Sequence, residues 1–396
     1  MIHFFVTIVR VVGILGCGTS SAYYLLCLWS AVSFHREQKT NGGTRPTHAA
    51  LPPVSILKPL KGTDPENYQS FRSHCVQDYP EYEIVFGVSD SDDPAVKIVQ
   101  DLRREFPEAR IRLVVCPEIL GANRKVSSLA QMLPEARYSY LVVNDSDVRV
   151  DPDYLRNVIG PLLDDEIGMV TCLYRGLPAW TLGSRLESLG IASDFCPGVL
   201  AAKKLESGLR FGLGSTMAFR RSDLERIGGF ESVADYLADD YELGKRISDL
   251  GLRVKLSKVV VETFLPAYDI RGFFAHQLRW ARGMRNSRPG GYFGLIFTFG
   301  LVWAVLCVLA TTAAFWSWGL LFLIVLLRCL MAAFVDEEIL HGHRFLCDLW
   351  LLPVRDMAAA AVWLASYAGN TVTWRGERFG LKNGKLTRYS ASQSSN

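Results

Sequence analysis

No Cys-x-x-Cys pair occurs in this 396-residue chain, and its nine cysteines show no metal-ligand spacing with histidine. An odd, irregular set argues against a disulfide framework and fits a reducing compartment for the polar part of the chain. An excess of charge of one sign is missing too: 43 Lys and Arg against 40 Asp and Glu leave a net charge of +3. No Lys/Arg-rich run is interleaved with aromatics, so nucleic acid is set aside as a partner class. What the chain has in excess is apolar. Hydrophobic residues make up 49%, and mean hydropathy is +0.15, so the excess must be concentrated in particular segments.

Two stretches lack charge altogether. Residues 11–34 carry none, with only Arg10 before them, a length that crosses a ~30 Å hydrocarbon core. The run is too long for a signal peptide and no small-x-small site follows it, so 1–34 is expected to be an uncleaved transmembrane anchor. The polar, Gly/Thr/Pro-containing stretch 35–53 reads as a linker. Residues 293–327 are also uncharged, and only Arg328 interrupts as far as Val335. At about 1.5 Å per residue this is too long for one span, so 291–335 is expected to hold two helices broken near Thr311–Ser317. Segment 336–370 contains Asp348, Arg355 and Asp356 and is either a third span or an interfacial segment. Residues 371–396 read as a basic tail, disordered at 390–396. Basic residues after the first span (Arg36, Lys39, Arg45, Lys58, Lys61) place the domain at 54–290 on the cytoplasmic side. The membrane would be the inner one in a bacterium and Golgi or ER in a eukaryote.

Between Val54 and about residue 290, short apolar runs alternate with helix-like segments. Strands are expected at 54–60, 82–89, 111–116, 140–144, 169–174, 215–220 and 254–264. Helices are expected at 94–106, 123–133, 152–164, 222–227 and 239–250. Such alternation predicts an α/β, Rossmann-like domain with a mostly parallel sheet, whose ligands sit at the carboxyl ends of the strands.

Acidic motifs stand at those ends. Asp145-Ser146-Asp147 follows the strand Tyr140–Val143, and carboxylates at i and i+2 suit a hard cation, Mg2+ or Mn2+, with positions left for phosphate oxygens. Asp90, Asp92 and Asp93 end another strand; Asp90 suits the ring N–H of a uracil, and Asp92 serves either the nucleotide or a helix cap. Asp239-Asp240 opens a helix, where the dipole alone favours acids. The alternative is a general base that deprotonates an acceptor hydroxyl. In His276-Gln277-Leu278-Arg279-Trp280, Arg279 offers a bidentate grip on a diphosphate and Trp280 closes a site or lies at a membrane interface. Arg282, Arg285 and Arg288 read as membrane-surface residues.

These motifs resemble those of inverting membrane glycosyltransferases with a GT-A fold, and more narrowly the ceramide glucosyltransferase family (family 21). The resemblance runs from Val54-Ser-Ile-Leu-Lys-Pro-Leu-Lys-Gly62 to Thr373-Trp-Arg-Gly376 and includes Asp90, Asp92-Asp93-Pro94-Ala95, Asn123-Arg-Lys125, Asp145-Ser146, Asp240-Tyr241 and Arg279-Trp280. It implies a donor-site role for Asp90, Asp92, Lys125 and Asp145, metal contact by Asp145 and Asp147, a base in Asp240, and catalytic roles for Arg279 and Trp280. It further implies inverting transfer of a hexose, glucose first, from a UDP-sugar to a hydroxyl of a membrane lipid, ceramide first. Bacterial relatives that glycosylate hopanoid polyols share this core. Two departures leave the acceptor open: His276 replaces the Gln or Arg that begins the family's signature, and Asp194-Phe195-Cys196-Pro197-Gly198 lacks a histidine expected there. The alternatives are N-acetylhexosamine transfer to a hopanoid, or a non-catalytic membrane scaffold whose acids are only caps.

Overall fold

The computed structural model describes residues 2–40, 51–342, 345–374 and 376–388. Arg45, most of the expected linker and the 390–396 terminus lie outside them. The chain forms two compact units, each built from three segments: residues 1–41, 180–204 and 268–372 in one, and 42–179, 205–267 and 373–396 in the other.

The second unit is built on eight strands: β1 (Val54–Leu60), β2 (Tyr82–Val88), β3 (Ile111–Val115), β4 (Tyr140–Val143), β5 (Val148–Arg149), β6 (Ile167–Leu177), β7 (Met217–Arg220) and β8 (Arg253–Phe264). Their order is β3-β2-β1-β4-β7-β6-β8-β5. Pairs β1–β2, β2–β3, β1–β4 and β6–β8 are parallel. Strand β7 runs antiparallel to both neighbours, and β5 antiparallel to β8. The sheet is thus mixed with a parallel majority. Central strands with both faces covered read as continuous apolar runs, which is why β1 and β4 are visible in the sequence. The order reverses between β1 and β4, where open α/β sheets leave a crevice for ligands.

A helix the sequence reading did not anticipate, Asn67–Cys75, follows β1. Its buried face includes Asn67, Ser70, Ser73 and His74, so apolar periodicity is silent there. The stretch expected as a basic tail also departs from expectation: Glu377–Lys382 and Lys385–Arg388 form an antiparallel hairpin.

The first unit opens with the helix Ile2–Thr40, which continues six residues past the expected end of the anchor at 34, into the expected linker. Among the described residues, two helices are long and apolar enough to cross a membrane, His3–Thr40 and Phe315–Ile339. A pair bent by 48°, Pro289–Thr298 and Gly300–Ala310, makes a third if it counts as one span. The bend at Phe299 exposes backbone groups that lipid cannot satisfy. The first helix satisfies them. Ser20 Oγ donates to Phe297 O (2.8 Å), Tyr24 Oη donates to Thr298 O (3.0 Å), and Gly300 N donates to Tyr24 Oη (3.2 Å). Gly16 faces the Trp303 ring, which a Cβ there would meet at 2.3 Å, so glycine sets the closeness of this contact. The helix Leu352–Ser366 has 15 residues.

Arg328, the lone charge in the apolar run, is only 5% exposed. Its guanidinium binds Asp356 Oδ1 (2.7 Å), Asp194 and the Ser193 carbonyl, and lies over the Tyr24 ring at 5.6 Å. Removing one partner of a buried pair costs about 3–5 kcal/mol, because the other charge is left desolvated. Arg328→Ala should therefore lower the thermal unfolding midpoint of the detergent-solubilised protein well below that of wild type. An unchanged midpoint would mean that this ionic staple carries no stability.

Candidate active site

The crevice between β1 and β4 is where the acidic motifs converge. Leu141, Val142 and Val143 are fully buried, and so is Asn144 at the strand's end. Asn144 Nδ2 donates to Ser215 O (2.7 Å), Tyr154 Oη (2.9 Å) and Thr216 Oγ1 (3.1 Å), fixing the point where the chain leaves the sheet. Asp145 follows it, half-buried.

Lys58, in the middle of β1, is also fully buried. Its ammonium donates to Asp145 O (2.9 Å) and Val148 O (3.4 Å), clamping the Asp145–Val148 turn from beneath. Burial lowers its pKa to about 7, against the opposing pull of Asp147 and Asp145. Lys58 is therefore an internal strut of the site rather than the membrane-side marker it was taken for in the sequence.

Lys125 is the hub of the cluster. Its ammonium lies 2.7 Å from Asp145 Oδ1 and 3.3 Å from Asp239 Oδ2. Asn123 holds this corner: its Oδ1 caps the helix Arg124–Met132 by accepting from Val126 N (3.2 Å), while its Nδ2 donates to Tyr236 O (2.9 Å) and Asp239 Oδ1 (3.3 Å). Asp240 Oδ2 accepts from Gly214 N (2.8 Å), and its Oδ1 accepts from Tyr241 N (2.8 Å). A Cβ on Gly214 would lie 3.0 Å from Asp145 Oδ2, 3.3 Å from Asp240 Oδ2 and 3.7 Å from Lys125 Nζ. Glycine at 214 thus keeps the space between the two carboxylates open, and the three sequence-predicted residues Lys125, Asp145 and Asp240 are neighbours.

Burial works against the Lys125 ammonium, but Asp145, Asp239 and Asp240 outweigh it and hold its pKa above the ordinary range. Burial, with repulsion from Asp239, lifts Asp240 to about 6 even though Lys125 pulls it down. A carboxyl near 6 is poised for proton transfer close to neutral pH. Burial, then Asp145 and Asp64, lifts Asp147 to about 7. Asp64 joins this side of the cluster by accepting from Ser146 Oγ at 2.5 Å.

Asp145 and Asp147 therefore present oxygen donors where negative charge is concentrated, which suits a divalent cation. Among the described residues, no three metal-ligating side chains form a ready-made set. Two carboxylates are the donor chemistry of a hard cation that completes its shell with water and substrate phosphate.

The other predicted residues lie on other elements. Asp90 and Asp92 are exposed beyond the carboxyl end of β2, on the far side of β1 from β4. Asp90 Oδ1 accepts from Asp92 N (3.0 Å), and Asp93 accepts from Ala95 N (2.9 Å) and Gly62 N (3.0 Å). Asp93 is thus the cap of this turn, and the exposed Asp90 and Asp92 remain open to solvent. Arg279 and Trp280 belong to the first unit, on the helix Ile270–Ser287. Trp280 is 38% exposed and packs on Phe195 and His276. His276 Nδ1 lies 2.9 Å from Oε1 of the buried Glu187 and stacks on Tyr268. Arg282 and Arg285 correct the membrane-surface expectation. Arg282 donates to Thr371 O, and Arg285 donates to Ser366 O and Gly369 O, so both cap the carboxyl end of the Leu352–Ser366 helix and the turn after it.

Sequence reasoning missed Lys58, Asp64 and Gly214. Lys58 had a signal: a lysine inside a continuous apolar strand is a charge that needs buried partners. Gly214 had none, since a glycine ahead of a strand reads as an ordinary turn.

A model of glycosyl transferase family 21 matches residues 12–387. Ceramide glucosyltransferase 1 of Caenorhabditis elegans is 24% identical over 353 residues, covering 86% of this chain and 74% of its own length. Ceramide glucosyltransferase 3 of the same organism is 24% identical, over 59% of this chain and 51% of its own. Among solved structures, a mannosyltransferase from Pyrobaculum calidifontis in complex with GDP-Man and Mn2+ is 20% identical with a TM-score of 0.50, covering 89% of this chain and 98% of that one. At that identity the likeness is one of fold.

Proposed function

The chain belongs to glycosyl transferase family 21, a GT-A-type glycosyltransferase, and from that premise we propose that it transfers a hexose from a UDP-sugar to a hydroxyl of a membrane lipid with inversion. Glucose and ceramide are the first choices, following the activity named for the relatives. The observation that carries the reading is the placement of the raised-pKa carboxylate Asp240 beside the Lys125–Asp145 pair across Gly214.

The residues divide the work as follows. Lys125 and Asp145 flank the donor diphosphate, and Asp90 accepts from the uracil ring N–H. Asp145 and Asp147 would hold a divalent cation, which would supply neutralisation of the charge on the diphosphate. Asp240 takes the proton of the lipid hydroxyl as its oxygen bonds to the anomeric carbon. The bond from that carbon to the diphosphate breaks, and UDP leaves with the electron pair. Arg279 and Trp280, on the first unit, are further candidates for catalysis from the family resemblance alone. The apolar helices keep the enzyme in the bilayer where such an acceptor resides, with the catalytic unit on the cytoplasmic face.

Purified protein supplied with radiolabelled UDP-sugars, Mg2+ or Mn2+, and separate lipid acceptors should label ceramide from UDP-glucose. Labelling of a hopanoid from a UDP-N-acetylhexosamine instead would move the acceptor and sugar but keep the reaction. No labelled lipid under any pairing would leave only a scaffold.

A further inference from the structure

The hairpin Glu377–Arg388 turns through Asn383 (φ 50°) and Gly384 (φ 78°). Successive positive φ values of this kind mark a tight two-residue turn, and an isolated hairpin is only marginally stable in water. Besides pairing with the strand Thr371–Trp374 in a three-stranded sheet, this one is held by the second unit in two places, and both lead to the acid cluster.

The first is the loop before Asp239. Leu386 N donates to Asp235 O (2.7 Å), and Leu237 N donates to Gly384 O (3.1 Å), so this loop pairs with the hairpin as a short extra strand. Tyr236 lies between two cations, Arg246 at 5.6 Å and Lys385 at 5.3 Å from its ring. Asp235 Oδ1 also accepts from Ala122 N (2.9 Å), tying the loop to the turn that leads into Asn123. The second is Arg124, next to Lys125. Its Nη2 lies 3.0 Å from Glu377 Oε1, while Glu377 Oε2 is 3.9 Å from Arg388. One hairpin therefore grips the residue beside Lys125 and the loop two residues short of Asp239.

We infer that this hairpin is a positioning element of the catalytic cluster, with Glu377 acting through Arg124 to hold Lys125 between Asp145 and Asp239. The inference rests on the transfer reaction proposed above. The competing role is plain burial, because Phe379, Leu381 and Leu386 are each 3% exposed. Truncation would therefore unfold more than it tests. Glu377 separates the two roles: its pairs are partly exposed and add little to stability, whereas a small displacement of a group at a reacting centre costs a large factor in rate.

The test uses the full-length protein in detergent. Glu377→Gln should lower kcat/KM for the UDP-sugar about tenfold, with the thermal midpoint unmoved. The double variant Glu377→Arg with Arg124→Glu should recover most of that loss. Backbone amides of residues 235–240 should exchange faster in Glu377→Gln than in wild type. Unchanged kcat/KM in an active enzyme, a swap without rescue, or unchanged exchange would each overturn the inference. If wild type itself labels no lipid, the transfer reading fails, and the exchange measurement still decides whether Glu377 orders the cluster.

Discussion

Replacing Asp240 with asparagine should lower kcat about a thousandfold while affinity for UDP persists. The amide oxygen can still accept from Gly214 N, the contact Asp240 makes at 2.8 Å, so the loop keeps its place while the proton acceptor is lost. The pH dependence follows from the same group. A base works as the carboxylate, and Asp240 is lifted to about 6 by burial and by Asp239, against the pull of Lys125. The contribution of Asp240 to wild-type kcat/KM should therefore fall as pH drops through 6 and reach its full value about a unit above it. Asp147, lifted to about 7, titrates nearby. What assigns the limb is hence the comparison of the two proteins: the limb belonging to Asp240 should be missing from the residual rate of the variant. Loss of UDP binding in Asp240→Asn would refute its role as base.

The second large effect is expected at Asp145. Asp145→Asn removes a carboxylate from the proposed metal pair and a partner 2.7 Å from Lys125. Charge stabilisation by a metal ion is worth several kcal/mol, and 1.36 kcal/mol is a factor of ten, so a loss of roughly a hundredfold or more in kcat/KM is expected. Its signature is in binding. Calorimetric titration of wild type with UDP should show tighter binding with Mn2+ than with a chelator, and in Asp145→Asn the two titrations should coincide. Cation-dependent affinity that survives the substitution would remove Asp145 from the metal site.

Asp145 was legible in the sequence because buried strands announce themselves as short apolar runs, and an acid just past such a run stands out; Asp240 was legible as an acid at the start of the helix Asp239–Asp249. The strand positions 54–60, 82–89 and 140–144 follow from that contrast. The helix Asn67–Cys75 was not legible, since most of the residues it buries are polar, held by hydrogen bonds such as Val150 N to Ser73 Oγ, with Phe71 and Cys75 the apolar exceptions. The bend at Phe299 was hidden inside an uninterrupted apolar run; the partners Thr19, Ser20 and Tyr24, far away in sequence, make it tolerable. Arg282 and Arg285 were misread because a basic stripe before a span looks the same whether its guanidinia face lipid headgroups or cap a helix end. The hairpin at 377–388 looked like a basic tail for a related reason: its apolar residues, Phe379, Leu381 and Leu386, are sparse, and their alternation becomes visible only once the Asn383-Gly384 turn is recognised.

The account turns on direct displacement at the sugar by a lipid hydroxyl that Asp240 deprotonates. The anomeric configuration of the product tests this most directly, read by proton NMR of the glycolipid formed from UDP-α-glucose and ceramide. A β-linked glucosyl lipid, formed by wild type and absent with Asp240→Asn, is the predicted result. An α-linked product, or free glucose released from the donor with no glycolipid, would contradict it.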